Sequence, residues 1–471
     1  VAIAFLLNGE RIEAADAAPS MTVLDFLRTR QRLTGTKEGC AEGDCGACTI
    51  AIGQGVGGAQ RWQVANSCIL LLSQIDGAEV KTVEGLVGSA GLHPAQTVLA
   101  ESDGTQCGFC TPGIVMSLYA LTQGRADDAL VSDSDIHEAL AGNLCRCTGY
   151  RPIVDAARAL CAAPPVVEPE SLPPIAGTRI AAQGELHLVP QTLSELVALR
   201  SAYPDAVLIA GATDLGLIPA KKRRGFRLAI STRRVAELKR IGWEGDHLVL
   251  GAAVTYAEGL ETVEAAFPAF GALIRRIGSR QIRTMGTFGG NLGTASPVGD
   301  TLPVLLALDG EVELAGPAGM RRMRIADFLT GYRQTALAPD EVIAAIRLPR
   351  LAEGEQLFAW KLSRRFDQDI STLLGAFRLR VEGGRVTDLA AAFGGMAERA
   401  KRAPALEALL TGAPWADAPP EGIEAALAAD FAPLSDHRAS AAYRASAAAN
   451  LARRLHLAIT RPGVPLELEA L

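Results

Sequence analysis

All nine cysteines of this 471-residue chain lie within its first 161 positions, and the rest of the chain has none. Eight form two groups of four: Cys40, Cys45 and Cys48 followed by Cys68, then Cys107 and Cys110 followed by Cys145 and Cys147. Cys161 is left over. The N-terminal VAIAFLLNGERI has no basic n-region and turns polar after seven residues, so it reads as a strand and turn, not a secretion signal. An odd count without such a signal argues against a disulfide framework, and clustered thiols then point to metal. The first third of the chain must therefore fold as loops around metal centres.

The first group has the spacing C-x4-C-x2-C with a distant fourth cysteine, the plant-type 2Fe-2S pattern. Its local sequence, GCAEGDCGACTI, supplies what a loop wrapping inorganic sulfide needs. Gly39, Gly43 and Gly46 permit positive φ, and Ala47 is short. A zinc knuckle begins C-x2-C instead. The second group, C-x2-C with C-x-C, fits either an iron–sulfur or a zinc centre by spacing. Its surroundings read as helices: Pro112 at a helix start with GIVMSLYALTQG ending at Gly124, and Ser134–Leu140 leading into the C-x-C pair. Each pair then sits at a helix N-terminus or in the turn before one, where free N–H groups favour an anionic centre. Gly53-Gln-Gly55-Val-Gly-Gly58 matches G-x-G-x-x-G, but a strand-like run follows it, so it reads as a loop and not a dinucleotide fingerprint.

Composition narrows the class. Lys and Arg number 46 against 52 Asp and Glu, a formal charge of −6, which does not suit a nucleic-acid binder. Lys221–Arg224 reads as a solvated loop. Apolar residues make up 49%, yet no run approaches the roughly 18 apolar residues of a membrane span. A cytoplasmic chain of three or four domains, with a buried interface to another subunit, is the expectation.

Beyond a Pro-rich linker, AAPPVVEPESLPP at 162–174, the texture changes. Leu208 to Gly216 reads as an apolar strand entering a glycine turn, with Thr213 and Asp214 as hydrogen-bonding groups. Strands continue at Leu228–Ile230 and Leu248–Val254. Gly278 to Asp300 holds six glycines with hydroxyls between them. It reads either as a loop whose amides form a nest for a diphosphate or as a plain glycine-rich turn. Asp300 suits a sugar or ribityl hydroxyl. A last element starts near Leu351, with strands at Leu373–Val381 and Leu389–Phe393. Helices follow at Arg402–Leu410, Gly422–Asp430 and Ser440–Leu455. Arg364, Arg365, Asp367 and Asp369 read as a salt-bridge array or as surface charges, and Asp436-His437 as a turn.

In this order the landmarks resemble the iron–sulfur and flavin portion of the molybdenum hydroxylases, most closely the small subunits of the bacterial xanthine dehydrogenase branch. The resemblance covers nearly the whole chain. It implies a multidomain α+β fold: a β-grasp ferredoxin-like domain at 1–78, a helical 2Fe-2S domain at 79–160 and a linker at 161–178. A two-lobed α+β FAD-binding domain at 179–348 and a C-terminal α+β flavoprotein domain at 349–465 complete it. Cys40, Cys45, Cys48 and Cys68 would hold one 2Fe-2S cluster, and Cys107, Cys110, Cys145 and Cys147 the second. FAD would be cradled by Leu208, Ile209, Ala210, Gly211, Ala212, Thr213, Asp214, Leu215 and Gly216, and by Thr287, Phe288, Gly289, Gly290, Asn291 and Thr294. Asp300 would meet its sugar region, with Ile277, Ile343 and Lys361 near its ring system. Ile277 stands where eukaryotic members often have an aromatic. Gln106 would approach a pterin held by another chain.

The resemblance further implies that this chain has no catalytic residue of its own. Its residues are all assigned to the four domains, so the molybdopterin centre that oxidises xanthine or hypoxanthine is expected on a large partner subunit, in an α2β2 assembly. Electrons would pass through the two clusters to FAD and then to NAD+.

Overall fold

Hydrophobic strands need neighbours on both sides, and the first strand shows this at once. In the computed structural model, β1 (Ile3–Leu7) is buried at every position, because it lies inside a five-stranded sheet of order β2-β1-β5-β3-β4. The other members are β2 (Glu10–Ala14), β3 (Thr49–Val56), β4 (Ala59–Asn66) and β5 (Glu79–Lys81). β1 and β5 run parallel, and the remaining pairs are antiparallel. The edge strand β2 has the sequence ERIEA, and its outward charges blunt the open edge. The structure describes residues 2–56, 59–89, 91–123, 131–164, 173–415, 419–464 and 466. Gly124, the linker core at 165–172 and the tip of the G-x-G-x-x-G lookalike at 57–58 lie outside them. The rest of that lookalike lies in the β3–β4 hairpin.

Contacts divide the chain into two units. The first comprises Val1–Leu196, Asp205–Val235 and Gly278–Gly286. Beside the sheet pack, among other helices, Pro94–Glu101, Thr111–Thr122, Asp133–Leu140 and Arg151–Ala162. Proline opens three of them, at Pro94, Pro112 and Pro152, where its missing N–H has no helical partner to lose. Ser132 caps the other, in a reciprocal box with Asp135. Helix Arg151–Ala162 buries Ile153, Ala156, Ala157 and Leu160, one face at helical spacing. The unit also contains a four-stranded sheet of order β6-β7-β9-β8, made of β6 (Arg179–Ala182), β7 (Glu185–Leu188), β8 (Val207–Ile209) and β9 (Leu228–Ser231).

The second unit comprises Val197–Pro204, Ala236–Ile277 and Thr287–Leu471. Its antiparallel sheet runs β10-β11-β16-β12-β13, from β10 (Ile241–Glu244), β11 (His247–Gly251), β12 (Glu311–Gly316), β13 (Gly319–Arg324) and β16 (Val342–Pro349). A small hairpin, β14 (Leu329–Gly331) with β15 (Gln334–Thr335), intervenes. Phe267, Phe270, Phe288 and Phe328 are fully buried in its core. Glu313, buried on β12, is neutralised by Arg347 on β16 and by Arg240 and Arg322. A second sheet, β17 (Glu355–Leu362), β18 (Leu373–Glu382), β19 (Arg385–Gly394) and β20 (Lys401–Arg402), carries helices Pro404–Leu410, Ile423–Asp430 and Ala441–Thr460.

One expectation changes. Gly278–Asp300 is not an open loop: it contains the helices Arg280–Arg283 and Phe288–Thr294. At the charged run, the Asp369 carboxylate accepts the backbone N–H groups of Arg364 and Arg365, and the Arg364 guanidinium donates to the carbonyls of His437 and Arg438. There these two side chains organise backbone turns. Among the described residues no helix is long and apolar enough to cross a membrane.

Candidate functional site

The first cysteine loop is shaped by residues with positive φ, Ala41, Gly43 and Gly46. Gly39 must be glycine because a Cβ there would sit 2.8 Å from Cys45 Sγ. Cys40 Sγ accepts the N–H groups of Asp44 and Cys45 at 3.3 Å each, and Cys45 Sγ accepts that of Cys40 at 3.4 Å. Cys48 Sγ donates to Asn66 Oδ1 at 3.6 Å, and Asn66 in turn holds the Gly43 carbonyl. Hydrogen bonds from Cys45 and Cys68 hold the Cys40 thiol far below its ordinary range. The same sharing, with burial, pushes Cys45 and Cys68 up. Thiols crowded this way have protons to lose to a metal. N–H groups aimed at sulfur also stabilise negative charge there.

The second group gathers in pairs. Cys147 Sγ lies 3.6 Å from Cys107 Sγ, and Cys110 is hydrogen-bonded to Cys145. Burial, then that hydrogen bond, pushes Cys110 up to about 12. Burial opposes ionisation of Cys145 as well, but hydrogen bonds from Thr148 bring it down on balance. The Cys145 N–H donates to Tyr150 Oη at 2.9 Å. Cys110 caps helix Thr111–Thr122, while Cys145 and Cys147 lie in the turn before helix Arg151–Ala162. Gln106 is exposed beside the exposed Cys107. Two such pairs of sulfurs match a two-iron centre with two thiolates per iron.

The two cysteine loops touch backbone to backbone. A Cβ at Gly46 would meet the Gly142 carbonyl at 1.9 Å, and one at Gly113 the Gly46 carbonyl at 2.2 Å. The Leu144 N–H donates to the Cys45 carbonyl at 2.9 Å, so residues adjoining the two ligand sets share a hydrogen bond. Asn143 and Gln281 complete this seam with side-chain amides. Reasoning from sequence missed both, because no spacing pattern marks a carboxamide as buried.

In the first unit, β8 carries Leu208 and Ile209 into a turn. Gly211 packs against the Met285 carbonyl, which a Cβ would meet at 1.8 Å. Ala212 then takes φ 60°. The N–H groups of Gly211, Ala212 and Thr213 have no acceptor among the described residues. Successive free amides around a left-handed residue form an anion-binding nest, which fits a nucleotide diphosphate. The Ala210 carbonyl accepts Gln74 Nε2, Asp214 is exposed, Leu215 is half-buried, and the Gly216 N–H closes the turn on the Ala212 carbonyl at 2.6 Å.

In the second unit, the amides expected to form a nest are already used. Phe288 N–H donates to the Val254 carbonyl, Gly289 N–H to that of Ala252, and Gly290 N–H to Thr287 Oγ1. A helical first turn backed by the segment just after β11 consumes them. The Phe288 ring is core, edge-on to Tyr256 and Phe270. Asn291 Oδ1 accepts from Thr301, and Thr294 Oγ1 donates to the Gly290 carbonyl. Asp300 and Lys361 are brought together: Lys361 Nζ donates to Asp300 Oδ2 at 2.7 Å and to the Arg276 carbonyl at 3.0 Å, while Ser371 donates to Asp300 Oδ1. Ile277 and Ile343 are half-buried against the same core.

Known families align with these features in order. The chain matches models of a 2Fe-2S iron-sulfur cluster binding domain at 5–72, a [2Fe-2S] binding domain at 82–158, the FAD binding domain in molybdopterin dehydrogenase at 182–351, and the CO dehydrogenase flavoprotein C-terminal domain at 358–459. It is 33% identical to the xanthine dehydrogenase of Emericella nidulans over 91% of this chain and 36% of that protein. It is 31% identical to the xanthine dehydrogenase/oxidase of Gallus gallus over 84% of this chain and 35% of that protein. The chain thus spans about a third of the length of the curated relatives it matches. A carbon monoxide dehydrogenase chain from Hydrogenophaga pseudoflava superposes with a TM-score of 0.53 at 30% identity, over 57% of this chain and 94% of that one.

Two iron–sulfur domains followed by a two-part FAD domain define an iron–sulfur flavoprotein, an oxidoreductase component. The chain belongs to the molybdenum-hydroxylase flavoprotein superfamily of xanthine-oxidase and CO-dehydrogenase type.

Proposed function

We propose that this chain is the electron-transfer part of a xanthine dehydrogenase, working with a molybdopterin-binding partner in an α2β2 complex in the cytoplasm. When bound, its two 2Fe-2S clusters and FAD supply the one- and two-electron chemistry that carries electrons from xanthine or hypoxanthine oxidation on the partner to NAD+. The carrying observation is that both four-cysteine groups assemble in one unit, with Gly46, Gly113 and Gly142 holding them backbone to backbone. Cys40, Cys45, Cys48 and Cys68 hold the first cluster; Cys107, Cys110, Cys145 and Cys147 hold the second. Gly211, Ala212 and Thr213 bind the FAD diphosphate, Asp300 accepts from a sugar hydroxyl, and Lys361 fixes that carboxylate. Gln106, exposed beside Cys107, faces the partner's pterin.

The xanthine reading draws on the curated relatives; the carbon monoxide dehydrogenase match favours, as a second reading, the same part of an enzyme for another substrate. The test is to purify the complex from its source, identify the partner chain, and assay xanthine with NAD+ and then with O2. Four irons and one FAD per chain, a flavin and 2Fe-2S absorption spectrum, and xanthine-dependent NADH formation are expected. A colourless, zinc-loaded protein would overturn the whole reading, and a coloured complex inert to xanthine would overturn the substrate.

A further inference from the structure

The segment Gly278–Gly286 lies within the FAD-domain stretch of the sequence but packs within the cysteine-bearing unit. Its Gln281 is 1% exposed. Gln281 Nε2 lies within hydrogen-bond reach of Thr49 Oγ1 (3.1 Å), Asn143 Oδ1 (3.2 Å) and Ser117 Oγ (3.4 Å). The orientation of this amide is dictated by its neighbours. Thr49 already gives its hydroxyl proton to the Gly46 carbonyl, and Ser117 gives its own to Asn143 Oδ1, so only a donor fits between them. Asn143 Nδ2 is spent on the Gly46 carbonyl and Thr49 Oγ1. Gln281 Oε1 has no hydrogen-bond partner and presses on Gly142, where a Cβ would lie 2.0 Å away.

Apart from Ser117, on the helix that Cys110 caps, the residues this amide reaches directly or through Thr49 and Asn143 adjoin the cysteine loops. Thr49 follows Cys48, Gly46 follows Cys45, and Gly142 and Asn143 precede Cys145. A buried side chain that leaves one polar atom unsatisfied is not placed there for stability alone, since an apolar group of that shape would leave nothing unpaired. We propose that Gln281 is a positioning residue: its carboxamide donor locks the Cys45–Cys48 loop to the Gly142–Cys145 loop and so sets the separation and environment of the two metal centres. This rests on the reading that the eight cysteines hold two 2Fe-2S clusters. A donor that bridges both loops transmits its loss to both centres, not to one.

The experiment compares the wild-type complex with Gln281→Glu, which keeps the volume and replaces the donor by an acceptor, and with Gln281→Leu. Iron per chain, the midpoint potentials of both centres, and the low-temperature magnetic splitting between their signals after dithionite reduction are read. Expected are unchanged iron, shifted potentials at both centres and an altered splitting in both variants. Gly142→Ala, whose methyl displaces Oε1, should reproduce the shift and add nothing when combined with Gln281→Ala. If Gln281→Leu fails to load iron, Gln281→Glu decides. Iron-replete variants with both potentials and the splitting unmoved would overturn the proposal. Absence of two iron–sulfur signals in the wild-type complex would instead overturn the cluster reading beneath it.

Discussion

At the scale of single residues, the cysteine loops show how much depends on a missing side chain. Gly46 has φ 68° and no room for a Cβ against the Gly142 carbonyl. Gly46→Ala therefore adds backbone strain of roughly 1–3 kcal/mol and a clash with main chain that cannot swing aside. The variant is expected to unfold at lower urea and to bind less iron, measured by a denaturation midpoint and an iron assay; wild-type values for both would mean the loops part without cost. The first four cysteines and the need for glycine near them were legible in spacing and residue type, whereas spacing left the second four open between iron–sulfur and zinc and only the family resemblance assigned them. Gln281 and Asn143 were not. A carboxamide is ordinary surface material until tertiary packing buries it, and the residues it bonds are distant in sequence.

At the scale of elements, β7 carries a titratable group into a closed environment. His187 is buried, its Nδ1 lies 2.9 Å from Ser73 Oγ, and its Nε2 has no hydrogen-bond partner. Burial pulls its pKa down to about 4 from 6.5. The folded protein thus keeps this imidazole neutral while the unfolded chain protonates it below 6.5. Stability from this group is full above pH 6.5 and is lost as pH falls toward 4, by roughly 3 kcal/mol at 1.36 kcal/mol per pKa unit. His187→Gln should flatten the stability profile in that window, checked by urea unfolding at several pH values; an unchanged slope would place the acid sensitivity elsewhere. Strand and helix periodicity foretold the C-terminal elements of the second unit, such as β18, β19 and helix Ala441–Thr460, but not its first sheet beyond β11. Glycine count misled at Gly278–Asp300. Glycine permits a loop but does not require one, and Thr287 as a cap with Gly289 packed on Ala252 made a helix there. The free amides lie at Gly211–Thr213, where fewer glycines gave a weaker signal.

At the scale of the whole molecule, chain order and contact order part company. Motifs placed the functions along the sequence, but no local pattern could foretell that Asp205–Val235 and Gly278–Gly286 pack within the unit bearing the cysteines. A fragment ending at residue 164 lacks the amide that reaches Thr49, Ser117 and Asn143. Its backbone around Gly46 and Gly142 is expected to exchange amide protons faster than in the full chain, by hydrogen–deuterium exchange. Equal protection would mean the later segment adds nothing to the seam. The same arrangement has a consequence in time. A ribosome delivers the cysteine loops first and Gly278–Gly286 last among the parts of this unit, on the order of ten seconds later at about 5–20 residues per second. During that interval the seam is uncovered, and iron and sulfide can be delivered to loops still free to open. Maturation then has a natural end point, because the stretch that fastens the two loops together is also the last of their neighbours to be made.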